Sequence, residues 1–215
     1  MLAVVYLIFN AGYTGRGDLA ADAIWLGRAL AELMPDEPEV HGLLALMLLH
    51  HARRDARFRD GELVLLADQD GSLWDTAEIA AGREVLERAL ALSGRGAYVL
   101  QAAIASLHAD EPREWAEIAA LYGELSRLTG SPVVELGRAV AVAETEGPEA
   151  GLEIVDRLDL ADFRYLHSTR AELLRRLGRT DEARQAYRRA LEFVHDDVER
   201  RLLERRLAAL DAATI

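Results

Sequence analysis

The side chains best suited to chemistry lie in one polar segment, residues 53–75, with the sequence RRDARFRDGELVLLADQDGSLWD. Within it, Asp68, Asp70 and Ser72 carry oxygen atoms at every second position, a spacing that superficially resembles a calcium-binding loop. That loop type has twelve positions and closes with a glutamate, whereas the twelfth position counted from Asp68 is Ile79. We therefore favour turns and caps over a calcium site.

The same side chains suit a purely structural role. Asp68 and Asp70 are predicted to cap turns, and Trp74 is predicted to pack the loop against the helices. Asp75 is predicted to be the N-cap of the next helix, with Glu78 completing a capping box. The apolar run that follows Glu62 could tuck into a groove or form a short extended strand.

Six histidines raise the possibility of a metal site or of acid–base chemistry. His50 and His51 are adjacent, so on a helix they diverge by about 100° and cannot hold one ion together. The chain has no Cys, no HExxH and no GxSxG, and its two GRG sequences, at 15–17 and 94–96, lack the lysine of a P-loop. We expect no enzyme activity, no metal and no cofactor. A fold that brought His51, Asp68 and Asp70 within ligand distance would favour an enzyme instead.

Helices must position these residues, because apolar side chains recur at three- and four-residue spacing almost throughout the chain. Glycine and proline divide the pattern into short segments, which favours antiparallel neighbours. We predict an all-α, tetratricopeptide-like helical-repeat array, a solenoid of about ten or eleven helices. The predicted helices lie near residues 2–12, 18–34, 37–56, 76–92, 96–109, 113–128, 132–146, 148–157, 162–177, 180–194 and 196–211.

The repeat pattern is clearest near the end of the chain. There, Ala171, Gly178, Ala183, Tyr187 and Ala190 have the spacing of a tetratricopeptide unit. Small residues let two antiparallel helices approach closely, and the aromatic ring fills the space beside them. A similar frame precedes the polar segment, with Ala23, Gly27, Leu30 and Pro35 in one helix and His41, Leu44, Ala45 and Leu48 in the next.

We predict a single helical-repeat domain over residues 1–215, interrupted by one long loop at about 53–75. Its expected parts are an N-terminal helix in 1–15, first repeats in 18–57, the inserted loop in 58–75, middle helices in 76–158 and C-terminal repeats in 160–211. A connection of this length inside a compact array is unusual, and long loops often carry function. The loop is thus the first place to look for a site.

Charge restricts the partners. The chain has 25 basic and 37 acidic residues, a net charge of -12, which repels nucleic acid and anionic membranes. Residues 164–215 alone are basic, with 12 Arg against 9 acidic residues. This asymmetry could steer a partner, or it could be a solvated, arginine-rich helix face. The apolar first segment is too short to span a bilayer and does not resemble a signal peptide.

Several segments in a fixed order resemble the C-terminal region of a family of bacterial extracytoplasmic-function sigma factors that carry a helical-repeat extension. They are VYLIFNAGY (5–13), PDEPEVHGLLALMLLHHAR (35–53), DGELVLLADQD (60–70), LQAAIASLHA (100–109), SPVVELGRAVAVAETEGP (131–148) and LLRRLGRTDEARQAYRRAL (173–191). Ala11, Ala67, Gly71 and Gly137 depart from the family pattern, in which Glu, Glu, Arg and Asn are expected. The promoter-reading domains of such factors are not among these 215 residues.

The resemblance implies a cytoplasmic regulatory domain that modulates transcription initiation by binding its own sigma-factor DNA-binding domains or RNA polymerase. The helix at 4–13 would form the junction. The alternative is a stand-alone tetratricopeptide-like adaptor that binds a peptide or protein partner. Neither hypothesis includes direct binding to nucleic acid or to a membrane. The candidate interaction residues are Asn10, Tyr13, His51, Arg54, Asp60, Glu62, Asp68, Gln69, Asp70 and Trp74.

Overall fold

The computed structural model of the chain describes residues 1–13 and 19–212, with all their side chains except that of Tyr13. The predicted turn at 15–17 lies outside the described residues. The described residues form eleven α-helices, as the apolar spacing predicts. They are Leu2–Tyr13 (α1), Leu19–Leu33 (α2), Pro38–His51 (α3), Thr76–Ala91 (α4), Ala97–Leu107 (α5), Trp115–Thr129 (α6), Pro132–Thr145 (α7), Pro148–Val155 (α8), Arg164–Arg176 (α9), Thr180–Glu192 (α10) and Asp197–Ala212 (α11).

Every predicted helix is present, and only the end of α3 differs by more than two residues. The predicted helix continues to residue 56, whereas α3 ends at His51 and a short 3-10 turn follows at Arg54–Ala56. The carbonyl of His51 accepts from the Arg54 side chain at 3.2 Å, and that of Ala52 accepts from the backbone N–H of Asp75 at 2.8 Å. Donors from the loop therefore replace those of a further helical turn.

The chain folds into two compact units. Unit 1 comprises Met1–Arg57 and Leu65–Glu114, and unit 2 comprises Phe58–Val64 and Trp115–Ile215. The chain thus leaves unit 1 after Arg57, contributes seven residues to unit 2 and returns. The single domain over residues 1–215 stays a prediction.

Unit 1 is centred on α3, which packs against α1, α2, α4 and α5. The ten residues from Val40 to Leu49 are all buried, because the segment has apolar side chains on every face and carries only His41 as a polar residue. Gly42 lets α3 approach α5: a Cβ at this position would lie 2.6 Å from the backbone nitrogen of Val99. Larger residues are thereby excluded at this crossing.

A carboxylate of α3 also caps the start of α5. The backbone N–H groups of Tyr98 and Val99 donate to the two oxygens of Glu39, at 3.0 and 3.1 Å. Such N–H groups have no partner inside their own helix. Glu39 therefore joins the two helices beside the Gly42 contact.

Unit 2 contains α6 to α11, and one apolar core joins α7, α8, α9, α10 and α11. Ala171, Ala183 and Ala190 are fully buried, and Tyr187 is 2% exposed. These are the small and aromatic positions that the repeat pattern predicts at the α9–α10 crossing, and the two helices pack against each other. Gly178 adopts a φ of +72° in the connection between them, a conformation that glycine adopts readily.

The remaining seven residues of unit 2 form a β-hairpin, hereafter the hairpin (residues 58–64). Strand β1 (Phe58–Arg59) pairs antiparallel with β2 (Glu62–Leu63). Asp60 and Gly61 have φ values of 54° and 78°, as a tight two-residue hairpin turn requires. A short extended strand, one of the two alternatives for the apolar run at Glu62, is therefore present. Its partner strand β1 was not predicted from the sequence.

Candidate functional sites in the loop and in unit 2

The structure brings two predicted residues, His51 and Arg54, together at the end of α3. Nδ1 of His51 is 2.8 Å from Oε1 of Glu78, and Nη1 of Arg54 donates to Oε2 of the same carboxylate at 2.8 Å. The Glu78 side chain is only 16% exposed, so water screens these contacts weakly. The arrangement holds the end of α3 against the first turn of α4.

Asp75 is the N-cap of α4, as predicted, since its Oδ1 accepts from the backbone N–H of Glu78 at 3.0 Å. The predicted capping box is wrong. The carboxylate of Glu78 contacts His51 and Arg54, while the backbone N–H of Asp75 donates to the carbonyl of Ala52. A contact with α3 has replaced the reciprocal local hydrogen bond.

Of the predicted residues, Asp68 ends the 3-10 turn Leu66–Asp68 of unit 1, and Gln69 and Asp70 connect it to a second 3-10 turn, Gly71–Leu73. Asp70 caps the second turn, as predicted: its Oδ1 accepts from the backbone N–H and the hydroxyl of Ser72, at 2.9 and 2.6 Å. A capping role for Asp68 stays a prediction. A local turn thus accounts for the geometry at Asp70.

Trp74 packs the loop into the core of unit 1, as predicted. Its side chain is 9% exposed, and its indole N–H has no hydrogen-bond acceptor among the described residues. Tyr6 of α1 and Leu66 of the loop pack against the same apolar cluster. Asn10 lies half-buried on α1, and the side chain of Tyr13 lies outside the described part of the chain.

Asp60 and Glu62 belong to unit 2, unlike the other predicted residues. Asp60 forms the hairpin turn. Glu62 accepts from Nε of Arg201 at 2.7 Å and also contacts Arg205, both on α11. Hydrogen bonds from these two guanidinium groups lower the pKa of Glu62 below its usual value. The ten candidates therefore do not form one cluster within either unit.

Arg201, Arg205 and the pairing role of Glu78 were not predicted from the sequence. The dipeptide of Asp60 and Gly61 is a strong hairpin signal and could have revealed the two strands. No local pattern reveals the arginines, because they lie 139 and 143 positions after Glu62.

Two histidines of unit 1 have an unusually low proton affinity. Burial, and then the charges of Arg53, Arg57 and His108, lower the pKa of His50 to about 3. Burial, followed by the charges of Arg53 and Arg113, lowers the pKa of His108 to about 4. Both imidazoles are therefore neutral at pH 7.

Over residues 1–13 and 19–212, no three His, Cys, Asp or Glu side chains lie together in a way that could hold a metal ion. None of the helices in this part of the chain combines the length and the apolar character needed to cross a bilayer.

Unit 2 contains an open groove of about 440 Å³ where α8, α9 and α10 meet, hereafter the α8–α10 groove. Its apolar surface comes from Val155, Leu158, Ala161, Leu166 and Ala186, and its polar groups come from Asp156, Asp159, His167, Arg170, Gln185 and Arg189. None of these residues is among the candidates predicted from the sequence.

The arginines of residues 164–215 are largely paired within unit 2. Carboxylates of this unit contact Arg164, Arg170, Arg175, Arg176, Arg179, Arg184, Arg189, Arg201, Arg205 and Arg206. These contacts favour the alternative of an arginine-rich, internally paired surface over a free basic patch that steers a partner.

Comparison with known proteins supports the fold and relates the chain to a longer protein. A family described as a family of unknown function (DUF6596) matches residues 1–90. An uncharacterised protein of Rhizobium meliloti (strain 1021) is 46% identical in an alignment of 202 residues, and the match covers 87% of this chain and 48% of that protein. The chain therefore spans about half the length of this curated relative.

Among solved structures, a thermophilic TPR protein from Thermus thermophilus has a similar fold, with a TM-score of 0.63 at 19% sequence identity. The similarity covers 97% of this chain and 96% of the other. The chain accordingly has an all-α, tetratricopeptide-like helical-repeat fold.

Proposed function

We propose that this chain is the C-terminal regulatory domain of a bacterial extracytoplasmic-function sigma factor. In this role it binds other protein surfaces in the cytoplasm, namely the DNA-binding domains of its own sigma factor or RNA polymerase, and thereby modulates transcription initiation. The role is one of binding rather than catalysis. The tetratricopeptide-like fold is the observation that carries the proposal, because stacked helix pairs offer extended surfaces for polypeptides.

Two further observations support the sigma-factor part of the proposal. The six segments that resemble the sigma-factor extension occur in the same order along the chain. In addition, the Rhizobium relative is about twice as long as the matched region, so it has room for further domains.

Charge is consistent with a protein target. A net charge of -12 disfavours direct contact with DNA phosphates and favours basic surfaces, such as those that sigma-factor domains present to DNA. An acidic repeat domain that packs on such a surface would compete with promoter DNA.

The test uses the longer Rhizobium relative, both intact and shortened by the region that matches this chain. We expect promoter-directed transcription with core RNA polymerase to differ between the two proteins. Binding of the shortened protein to core polymerase is measured in parallel, which establishes that the remainder is folded. Equal transcription from two proteins that both bind polymerase would contradict the regulatory role.

The second candidate is a stand-alone tetratricopeptide-like adaptor, which the open α8–α10 groove favours. The two candidates predict different binding partners for the 215-residue chain. Binding to the matched sigma-factor domains supports the first candidate. Capture of a separate cytoplasmic protein, without binding to those domains, supports the second.

A further inference from the structure

We infer that Arg201 and Arg205 of α11, hereafter the arginine pair, form a binding site for an acidic segment of a partner protein, and that the hairpin occupies this site as a tethered competitor. The inference rests on the proposed protein-binding function and adds the chemistry of one contact and its control. The hairpin and α11 both belong to unit 2.

The arginine pair presents its donors on one face of α11. The two residues are four positions apart, so their side chains are neighbours on the helix surface. They are 47% and 50% exposed. Nε of Arg201 donates to Oε1 of Glu62 at 2.7 Å, and Nη1 of Arg205 contacts Oε2. The pair thus meets both oxygens of one carboxylate.

The hairpin shows which ligand chemistry the arginine pair accepts. Besides the carboxylate of Glu62, the backbone carbonyl of Gly61 accepts from Nη2 of Arg201 at 3.4 Å. The pair lowers the pKa of Glu62 through its hydrogen bonds, so it stabilises the ionised carboxylate. A segment of another protein that carries a carboxylate next to an accessible carbonyl group would make the same contacts.

The hairpin is held on α11 weakly enough to exchange with such a segment. Each of its strands has two residues, and a two-stranded hairpin alone is marginally stable. All seven of its residues keep part of their surface exposed. Ion pairs between exposed groups contribute little to stability, and salt screens them.

The covalent connection makes the hairpin a competitor. Both of its ends continue into unit 1, so the hairpin stays attached to the chain when it leaves α11. A tethered ligand of this kind acts at an effective concentration on the order of millimolar. A free carboxylate ion therefore competes poorly, whereas a protein segment with further contacts can displace the hairpin.

Charge at the site favours an acidic ligand that makes direct contact. Residues 164–215 have 12 Arg against 9 acidic residues. Among the described residues, Glu62 is the only carboxylate that contacts the arginine pair, so its departure leaves two guanidinium groups to attract another. Asp197 and Glu204 lie exposed on the same helix and reduce attraction over longer distances. The ligand carboxylate therefore has to reach the guanidinium groups themselves.

The experiment titrates the 215-residue chain and its Glu62→Gln variant with the blocked heptapeptide N-acetyl-FRDGELV-amide, which has the sequence of the hairpin. Backbone amide shifts are followed by NMR, a method that detects millimolar affinities. The variant releases the arginine pair, so we expect shifts in α11 and binding at least about fivefold tighter than to the unaltered chain. A peptide with Gln in place of its Glu should bind the variant at least about threefold more weakly.

Asp60→Asn is the matched control. It removes one charge from the same hairpin, but among the described residues Asp60 pairs with neither arginine, and Asn tolerates the φ of 54° at this turn. Its affinity for the peptide should stay within about twofold of that of the unaltered chain. Adding Arg201→Gln and Arg205→Gln to Glu62→Gln should abolish the shifts in α11. Unchanged circular dichroism spectra establish that the variants are folded.

Four results would overturn the inference: no shifts at millimolar peptide, equal affinity of the unaltered chain and the Glu62→Gln variant, equal affinity of the two peptides, or shifts that survive the loss of both arginines. Inorganic phosphate is titrated in parallel. Binding as tight as that of the peptide would point to a small anion, and would also overturn the inference. The proposed function has a separate readout, since the transcription comparison can succeed while the peptide titration fails, and the reverse.

Discussion

Glu62 accepts a hydrogen bond of 2.7 Å from Nε of Arg201, which lies 139 positions further along the chain. Arg205, one helical turn later on α11, contacts the other carboxylate oxygen. A motif that the sequence singled out as a candidate site thus holds the hairpin on the last helix of unit 2. We expect its loss to affect local order before it affects binding.

Glu62→Gln removes the charge that both arginines share. Backbone amides of 58–64 and 197–205 should then exchange with deuterium about two- to fivefold faster, because the hairpin separates more often from α11. The difference should shrink in 1 M NaCl, since exposed charges are screened there. Glu204→Gln, also on α11 and exposed, is the control and should exchange as the unaltered chain does.

Glu78→Gln tests the contact between α3 and α4. The neutral amide loses the negative charge that His51 and Arg54 contact, so the hydrogen bond from Arg54 is weaker and the free energy of unfolding should fall by about 1–2 kcal/mol in urea titrations. Glu87→Gln changes an exposed residue of the same helix and should shift stability by less than about 0.5 kcal/mol. Similar values for the two variants would contradict a stabilising role for Glu78.

Gly42→Ala tests the approach of α3 to α5. The new methyl group would lie 2.6 Å from the backbone nitrogen of Val99, which cannot rotate away as a side chain can. We expect a loss of about 1–3 kcal/mol from overpacking, even though alanine favours helix. Gly71→Ala, where nothing lies within 4 Å of the added Cβ, should be nearly neutral.

Trp74 permits a test of its buried N–H group. Because the indole N–H has no acceptor among the described residues, Trp74→Phe removes an unsatisfied donor and should cost less than about 2 kcal/mol. Trp74→Ala leaves a cavity in unit 1 and should cost about 3–5 kcal/mol. Equal costs for the two variants would show that the ring itself contributes little.

His50 and His108, whose pKa values are lowered, predict a pH dependence. Their pKa values are lower in the folded chain than the ordinary value of 6.5, so the unfolded chain binds more protons as the pH falls. The free energy of unfolding should not depend on these histidines above about pH 6.5. Below it, the free energy should fall by about 1.4 kcal/mol per pH unit for each histidine once the pH is well below 6.5.

Urea titrations between pH 7.5 and pH 5 measure this slope. The range lies above the ordinary pKa of glutamates such as Glu62, whose titration affects stability only below about 4.5. His108→Gln should reduce the slope, whereas His195→Gln, at an exposed position, should leave it unchanged. An equal slope in all three proteins would contradict the assignment.

The helices were predictable because their signals are local. Apolar spacing, small residues at crossings and glycine in turns act within one or two helices, and the α9–α10 pair has the predicted buried residues Ala171, Ala183, Tyr187 and Ala190. The end of α3 was not predictable in this way. It depends on donors from Arg54 and Asp75, and Asp75 follows 24 positions after His51.

The candidate sites were less predictable, since each depends on residues far apart in sequence. His51 and Glu78 are 27 positions apart, and local rules alone assign Glu78 to a capping box. The α8–α10 groove needs three helices and a connection, and the repeat motif of α9 and α10 predicts their packing but not the groove. Polar residues in the loop were recognisable, but their partners were not.

The hairpin also determines when unit 2 can complete its fold during translation. Its seven residues leave the ribosome long before α11. More than 130 further residues must be synthesised before Arg201 can pair with Glu62. Meanwhile the flanking segments of unit 1 can already pack. A fragment that starts at Trp115 would lack the hairpin, so cleavage at one peptide bond cannot yield unit 2 with all its parts.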